Sequence, residues 1–182
     1  MNSFEYAHRK LSKCLCIYLA QTDRCGLGVF AARATPGGAI VMLDEDGDYY
    51  RNVVTYQELR RRGYGLDITL QVGHDAYKLP NCTLDDFTNH SCDPNTGIHL
   101  TARGMRIFAL RDIAAHEELT YDYSTYLNNP HERMRCLCGA ANCRGVIGNF
   151  STLPPALKRR YRALGVVGDF VEEPLIALEV AD

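Results

Sequence analysis

Short apolar runs separated by turn-forming residues dominate the chain, and they predict a protein built mostly of short strands. The runs at 29–32 and 39–43 flank Pro36, Gly37 and Gly38, a combination that breaks regular structure and joins two strands. Residues 68–72 and 77–79 predict a hairpin about Gly73, His74 and Asp75, and 105–110 predict a further strand. In 119–123, alternation puts Leu119, Tyr121 and Tyr123 on one face and Thr120 and Asp122 on the other. Two phenol hydroxyls then enter one pocket, or two rings pack with their hydroxyls satisfied by backbone. Two helices interrupt the strands. Thr55 followed by Glu58 has the spacing of a capping box, and Gly63 after three arginines is a stop, which predicts a helix over 55–62. A second helix begins near Pro154, carries Leu157, Tyr161 and Leu164 on one face and ends at Gly165. There is no internal repeat, and the residues after Gly168 predict a loosely packed tail.

The length suits one domain, large enough to bury roughly 70% of its unfolded surface without a metal or disulfide for bulk stability. A net charge of -2 gives no electrostatic footprint for nucleic acid. Asp44, Glu45, Asp46 and Asp48 form either a solvated turn or a docking point for a basic peptide. Arg9, Lys10 and Lys13 precede an apolar run at 15–20, which stops too soon at Gln21 to be a secretory signal and reads as mature sequence. No stretch has the length needed to span a bilayer.

Cys136, Cys138 and Cys143 form C-x-C-x-x-x-x-C, a spacing that lets three thiolates converge on one ion. Structural zinc takes four such ligands, and Cys92, held just before Asp93 and Pro94, is the best fourth. The alternatives are buried thiols or a disulfide pair. Cys14, Cys16, Cys25 and Cys82 have no such spacing and read as small buried hydrophobes. A thiolate cluster wants reducing conditions, hence an intracellular location in cytoplasm or nucleus, a bacterial cytoplasm or a host cell receiving the protein.

Four segments now combine: GLGVFAAR from Gly26, FTNHSCDPN from Phe87, EELTYDY from Glu117 and CLCGAANCRG from Cys136. In that order they resemble the signatures of SET-domain protein lysine methyltransferases with a post-SET zinc segment, over most of the chain from about Cys25 to Gly148. The resemblance implies a mainly β fold: a SET domain of several small curved sheets with a C-terminal pseudo-knot, short helices and a post-SET zinc lobe. It divides the chain into an N-terminal extension (1-13), a SET domain (14-125, with a variable insert about 50-87), a zinc segment (132-148) and a C-terminal helix and tail (149-182).

The implied function is S-adenosylmethionine-dependent methylation of a lysine amine in a histone or other basic protein. Tyr123 matches the catalytic tyrosine. Tyr121 matches the position where a phenol restricts the product to mono- or dimethyl-lysine. Asn89 and His90 match residues that hold the adenosine and amino groups, and Cys25, Gly26, Leu27 and Gly28 match the loop beside the methionine end, where glycine permits close backbone approach. Tyr77 matches a cofactor-contacting aromatic, and Leu137 is placed to cover the adenine. Cys92, Cys136, Cys138 and Cys143 are the implied ligands of one structural zinc. Without the family, Asn89 and His90 read as a self-capping turn, and the other histidines read as surface or packing residues. The implied partner is a protein or peptide presenting a lysine, with no nucleic acid and no membrane. The competing class is a catalytically inactive SET-like module that binds peptide. Three features depart from the family pattern: no cysteine-rich segment precedes the core, Asp44 to Asp46 stand where many members carry an aromatic, and the insert is short. The second alters one wall of the lysine channel and so bears on substrate choice.

Overall fold

The computed structural model describes residues 16–45, 48–129, 131 and 133–172. The expected N-terminal extension, Cys14, Asp46 and the tail from 173 onward lie outside the described residues. Strand β1 (Ile17–Gln21) pairs antiparallel with β2 (Leu27–Ala31), so the apolar run near the start of the chain is half of a hairpin. Strand β3 (Ile40–Asp44) ends in the acidic segment. There Asp44 is buried, Glu45 pairs with Arg106 at 2.8 Å and Asp48 with Arg51 at 2.9 Å. Glu45 and Asp48 thus have their charges engaged by arginines of the same protein.

Strand β4 (Val53–Val54) leads into α1 (Tyr56–Arg61). Thr55 caps this helix by accepting the Glu58 N–H at 3.3 Å, while the Glu58 carboxylate turns outward to Arg61 and Arg62 at 2.6 Å each. Half of the expected capping box therefore forms, because two guanidinium groups one turn away offer the carboxylate a charged partner. Strands β5 (Leu70–Gly73) and β6 (Ala76–Lys78) make the expected hairpin and complete a sheet of order β4-β6-β5.

After the short strand β7 (Asn89–His90), β8 (Thr96–Thr101) and β9 (Gly104–Ala109) extend β3 into a sheet of order β3-β9-β8. Its Met42, Ile98, Met105 and Ile107 side chains pack with Val29, Leu119 and Phe150 in the larger core. Strand β10 (Thr120–Tyr121) lies parallel to β7, Thr120 opposite Asn89 and Tyr121 opposite His90. This pairing brings together the two segments that the pseudo-knot expectation places side by side. Strands β11 (Met134–Arg135) and β12 (Val146–Ile147) form a hairpin whose loop carries the C-terminal cysteines. A smaller core of Leu59, Leu66, Tyr77, Leu127 and Ile147 surrounds Cys92 and Cys136.

Helix α2 (Pro155–Ala163) begins and ends where expected, with Tyr161 fully buried. Leu164 does not join it on the buried face, being 36% exposed. The chain turns back at Gly165, and Val166 takes the core place instead, 1% exposed, its N–H donating to the Tyr161 carbonyl at 3.2 Å. The fold is thus mainly β, in several small sheets with few helices.

Candidate functional site

The β7–β10 pair is fastened to the first hairpin by one side chain. Asn89 Nδ2 donates to the Leu27 carbonyl at 3.0 Å and to Glu118 Oε1 at 2.8 Å. Gly28 lies under this clasp, where a Cβ would stand 2.6 Å from Glu118 Oε1 and 3.1 Å from Asn89 Nδ2. Packing inside the protein by itself thus calls for a glycine there. Gly26, with φ +72°, reverses the chain and accepts the Thr22 N–H at 2.6 Å. The reversal presents Cys25 and Leu27 to a cavity of 590 Å³, where Asn89, His90, Leu137 and Tyr123 join them.

This volume is typical of sites that enclose a small molecule. Leu27 and Leu137 are 44% and 50% exposed, apolar surface suited to covering a flat ring. Arg24 straps the rim by donating its guanidinium to the Cys138 carbonyl, a contact with no signal in the sequence. Cys25 and Cys82 are exposed on the cavity wall and not buried hydrophobes, and Cys16 is half-buried. Both wall cysteines sit on loops that border the cavity, where no core is available to cover them. Tyr77 stands apart: it is buried in the smaller core and accepts a hydrogen bond from Asn129 Nδ2 at 2.8 Å.

Tyr123 also lines a narrow chamber of 30 Å³, together with Thr88, Tyr121, Lys78, Asp85 and Asp86. The expected strand over 119–123 stops at Tyr121, since Asp122 starts a 3-10 turn, Tyr123–Tyr126, by accepting the Ser124 N–H at 3.1 Å. The turn still sets the two phenols together, with ring centroids 4.7 Å apart. The Tyr123 hydroxyl donates to the Thr88 carbonyl at 3.0 Å, and its N–H donates to His90 Nδ1 at 3.1 Å. Burial raises the pKa of both phenols, which keeps them neutral donors. Lys78, 3% exposed, is fixed by Asp85 and Asp86 at 3.2 Å each.

The four cysteines implied as ligands do meet. Cys136 Sγ is 3.8 Å from Cys92 Sγ and 3.6 Å from Cys143 Sγ, and Cys138 Sγ accepts the Cys92 N–H at 3.5 Å. All four are free thiols, far beyond the ~2.05 Å of a disulfide. A tetrahedral zinc with bonds of ~2.3 Å needs sulfurs ~3.8 Å apart, so the donor set fits that ion. Burial pushes Cys92 up to about 11, while at Cys138, against its burial, the backbone N–H groups of Cys92 and Ala140 bring the value down to about 7.

His90 competes geometrically for the fourth place, because its ring, Cys92, Cys136 and Cys138 offer ligand atoms all within 4.8 Å of one another. Hydrogen bonding already engages the ring. Burial lowers its pKa to about 4, so the ring is neutral, and Nδ1 is occupied by the Tyr123 N–H. The single proton then sits on Nε2, 3.4 Å from Cys92 Sγ, an arrangement in which the ring donates toward that sulfur while Cys143 Sγ stands 3.6 Å from Cys136 Sγ.

Beneath both sites lies a group with no counterpart in the sequence reading. Asp122, 1% exposed, accepts from Arg144 Nη2 at 2.7 Å and from the Tyr161 hydroxyl at 2.9 Å. The Arg144 N–H in turn donates to Cys92 Sγ at 3.4 Å. One carboxylate thus joins the tyrosine turn, the cysteine loop and α2.

A family model described as "SET domain" matches residues 26–124, more than half of the chain. A curated Plasmodium falciparum protein named "Putative histone-lysine N-methyltransferase 1" is 31% identical over 146 residues, covering 74% of this chain and 2% of its own length. The Drosophila melanogaster "Histone-lysine N-methyltransferase ash1" is 48% identical over 117 residues, covering 57% of this chain and 5% of its own length. The chain thus spans a small fraction of these relatives. Among solved structures, Arabidopsis thaliana SUVH6 in complex with SAM superposes with a TM-score of 0.58 at 21% identity, covering 72% of this chain and 32% of that one. No helix among the described residues is long and apolar enough to cross a membrane.

Proposed function

The chain belongs to the SET-domain family, and from that membership we propose that it is a protein-lysine N-methyltransferase using S-adenosylmethionine as methyl donor. The observation that carries the proposal is the position of Tyr123, which lines both the large cavity and the narrow chamber with its hydroxyl fixed by the Thr88 carbonyl. A cofactor in the cavity and a lysine in the chamber would meet beside that hydroxyl.

S-adenosylmethionine supplies a methyl group on a sulfonium, which leaves as a thioether when the amine nitrogen takes the carbon. The amine must be neutral, whereas a free lysine has a pKa of about 10.4. Burial beside a positive sulfonium disfavours the ammonium form. The protein's part is then to align the amine with the methyl carbon, and Tyr123, held at both its N–H and its hydroxyl, is the orienting group. The Tyr121 phenol narrows the space around the amine and favours mono- and dimethyl products. We assign cofactor contacts to Cys25, Leu27, Asn89, His90 and Leu137, with Gly26 and Gly28 shaping the loop and Tyr77 supporting from the core. One zinc on Cys92, Cys136, Cys138 and Cys143 would hold Leu137 against the cavity. In this reading the SET domain occupies 14–125 and the zinc segment 132–148.

The substrate is a lysine-bearing protein, with histones the first to test because the named relatives are histone-lysine methyltransferases. The test is incubation with S-adenosylmethionine and core histones, beside a lysate of the source, with methyl-lysine read by mass spectrometry. Mono- and dimethyl-lysine that vanish in Tyr123→Phe are expected. Cofactor binding without transfer to either pool would sink the proposal in favour of a peptide-binding module.

A further inference from the structure

We propose that the Thr88 hydroxyl sets the degree of methylation, by accepting a hydrogen bond from the substrate amine and so favouring amines that still carry N–H bonds. The inference rests on the methyltransferase reading above and concerns a residue to which that reading assigns no side-chain role.

Thr88 lines the narrow chamber, is 3% exposed, and its Oγ1 is buried without a hydrogen-bond partner among the described residues. The rest of its polar groups are engaged: the N–H donates to the Asp85 carbonyl at 3.1 Å, and the carbonyl accepts from Tyr123. A buried hydroxyl left unpaired costs about 1–3 kcal/mol, and such groups are rare in folded proteins. One retained on the wall of a chamber points to a partner that arrives from outside.

Several of the chamber's other polar groups are already engaged. The Lys78 ammonium is spent on Asp85, Asp86 and Asn81. Asp86 gives one oxygen to Lys78 and the other to the Asn81 and Thr83 N–H groups at 2.8 and 3.1 Å. The Tyr123 hydroxyl is committed to the Thr88 carbonyl. Three carboxylates, Asp67, Asp85 and Asp86, line the chamber against the one ammonium of Lys78, a balance that favours entry of a cation.

The selectivity follows from counting protons. A neutral lysine amine has two N–H bonds and a monomethyl amine one, so either can donate to Thr88 while its lone pair faces the methyl donor. A dimethyl amine has none and cannot make this bond. Thr88 therefore supports the first two transfers and opposes the third.

The experiment compares wild type, Thr88→Val, Thr88→Ala and Thr88→Ser on two substrates: unmodified core histones, and core histones reductively dimethylated at lysine, which can accept only a third methyl. The expected result is that wild type and Thr88→Ser give mono- and dimethyl-lysine and little third transfer. Thr88→Val and Thr88→Ala shift the ratio of unmodified to dimethylated turnover by about tenfold toward the third transfer, equivalent to ~1.4 kcal/mol. Cofactor affinity should not change, and the melting temperature of Thr88→Val should hold or rise, since an unpaired hydroxyl is exchanged for a methyl of the same size. An unchanged ratio in both apolar variants of an active enzyme overturns the role of Thr88 alone. A lower melting temperature with an unchanged ratio assigns Thr88 to packing. A wild type that methylates neither these histones nor the source lysate overturns the underlying reading and this inference with it.

Discussion

The Asp122 carboxylate should be among the most costly single groups to neutralise in this protein. Its side chain is fully buried and faces Arg144, whose side chain is 18% exposed. Asp122→Asn keeps the shape and an oxygen for the Tyr161 hydroxyl or the Ser124 N–H, but removes the charge that compensates the guanidinium. Deleting one partner of a buried ion pair costs about 3–5 kcal/mol, because the other charge is left without compensation. Arg144 would feel this strongly, since its Nη1 already has no partner among the described residues. Its partial exposure and a 3.4 Å contact to Ser124 Oγ soften the loss, which places the expected cost at about 2–3 kcal/mol. For a chain of this size that is a fall of roughly 5–10 °C in melting temperature. Thermal unfolding followed by circular dichroism measures it, with Arg144→Met and the double variant completing a cycle. The double variant should be less damaged than the sum of the singles by about 1–3 kcal/mol. A shift below about 2 °C for Asp122→Asn, or strict additivity in the cycle, would refute the reasoning.

S-adenosylmethionine at a hundred times its Kd should stabilise the folded state by ~2.7 kcal/mol and raise the melting temperature by about 5–10 °C; no shift in differential scanning fluorimetry would remove the cofactor from the cavity. Metal analysis should find one zinc per chain, lost in Cys136→Ser, and because Leu137 and Cys138 border the cavity, chelation should weaken cofactor binding by about tenfold, or ~1.4 kcal/mol, in isothermal titration. His90 is held near 4 in the fold against an ordinary value of 6.5, so the unfolded chain binds the extra proton first. Stability should be complete above about pH 6.5 and fall as the pH drops toward 4, with a loss already visible in melting curves between 6.5 and 4.5, before ordinary carboxylates titrate.

What could be read from the sequence and what could not divide along physical lines. The cysteine spacing, the Asn89-His90 segment and the two tyrosines were legible because each is a short run with distinctive chemistry. The structure gathers them within one region. The helices at 56–61 and 155–163 were legible from their caps, which are local. Strand β8 was not, since its Thr, Gly and His residues hide an apolar alternation at Ile98 and Leu100 that only its pairing with β9 reveals. The Asp122, Arg144 and Tyr161 group was invisible for a stronger reason: three polar residues scattered along the chain have no period, and only tertiary structure makes them partners. Leu164 fitted the helical face by spacing, but the turn at Gly165 gave its place to Val166, a competition that periodicity does not register.

The parallel pairing of β7 with β10 also has a consequence in time. The hairpins β1–β2, β5–β6 and β8–β9 join neighbouring stretches and can form within microseconds, whereas Asn89–His90 can meet Thr120–Tyr121 only after the whole of 91–119 has been closed into a loop. Non-local closure of this kind is a slow part of folding. The cavity and the chamber are walled from both sides of that junction, so binding competence should be the last property a refolding chain acquires, well after most of its strand signal has returned.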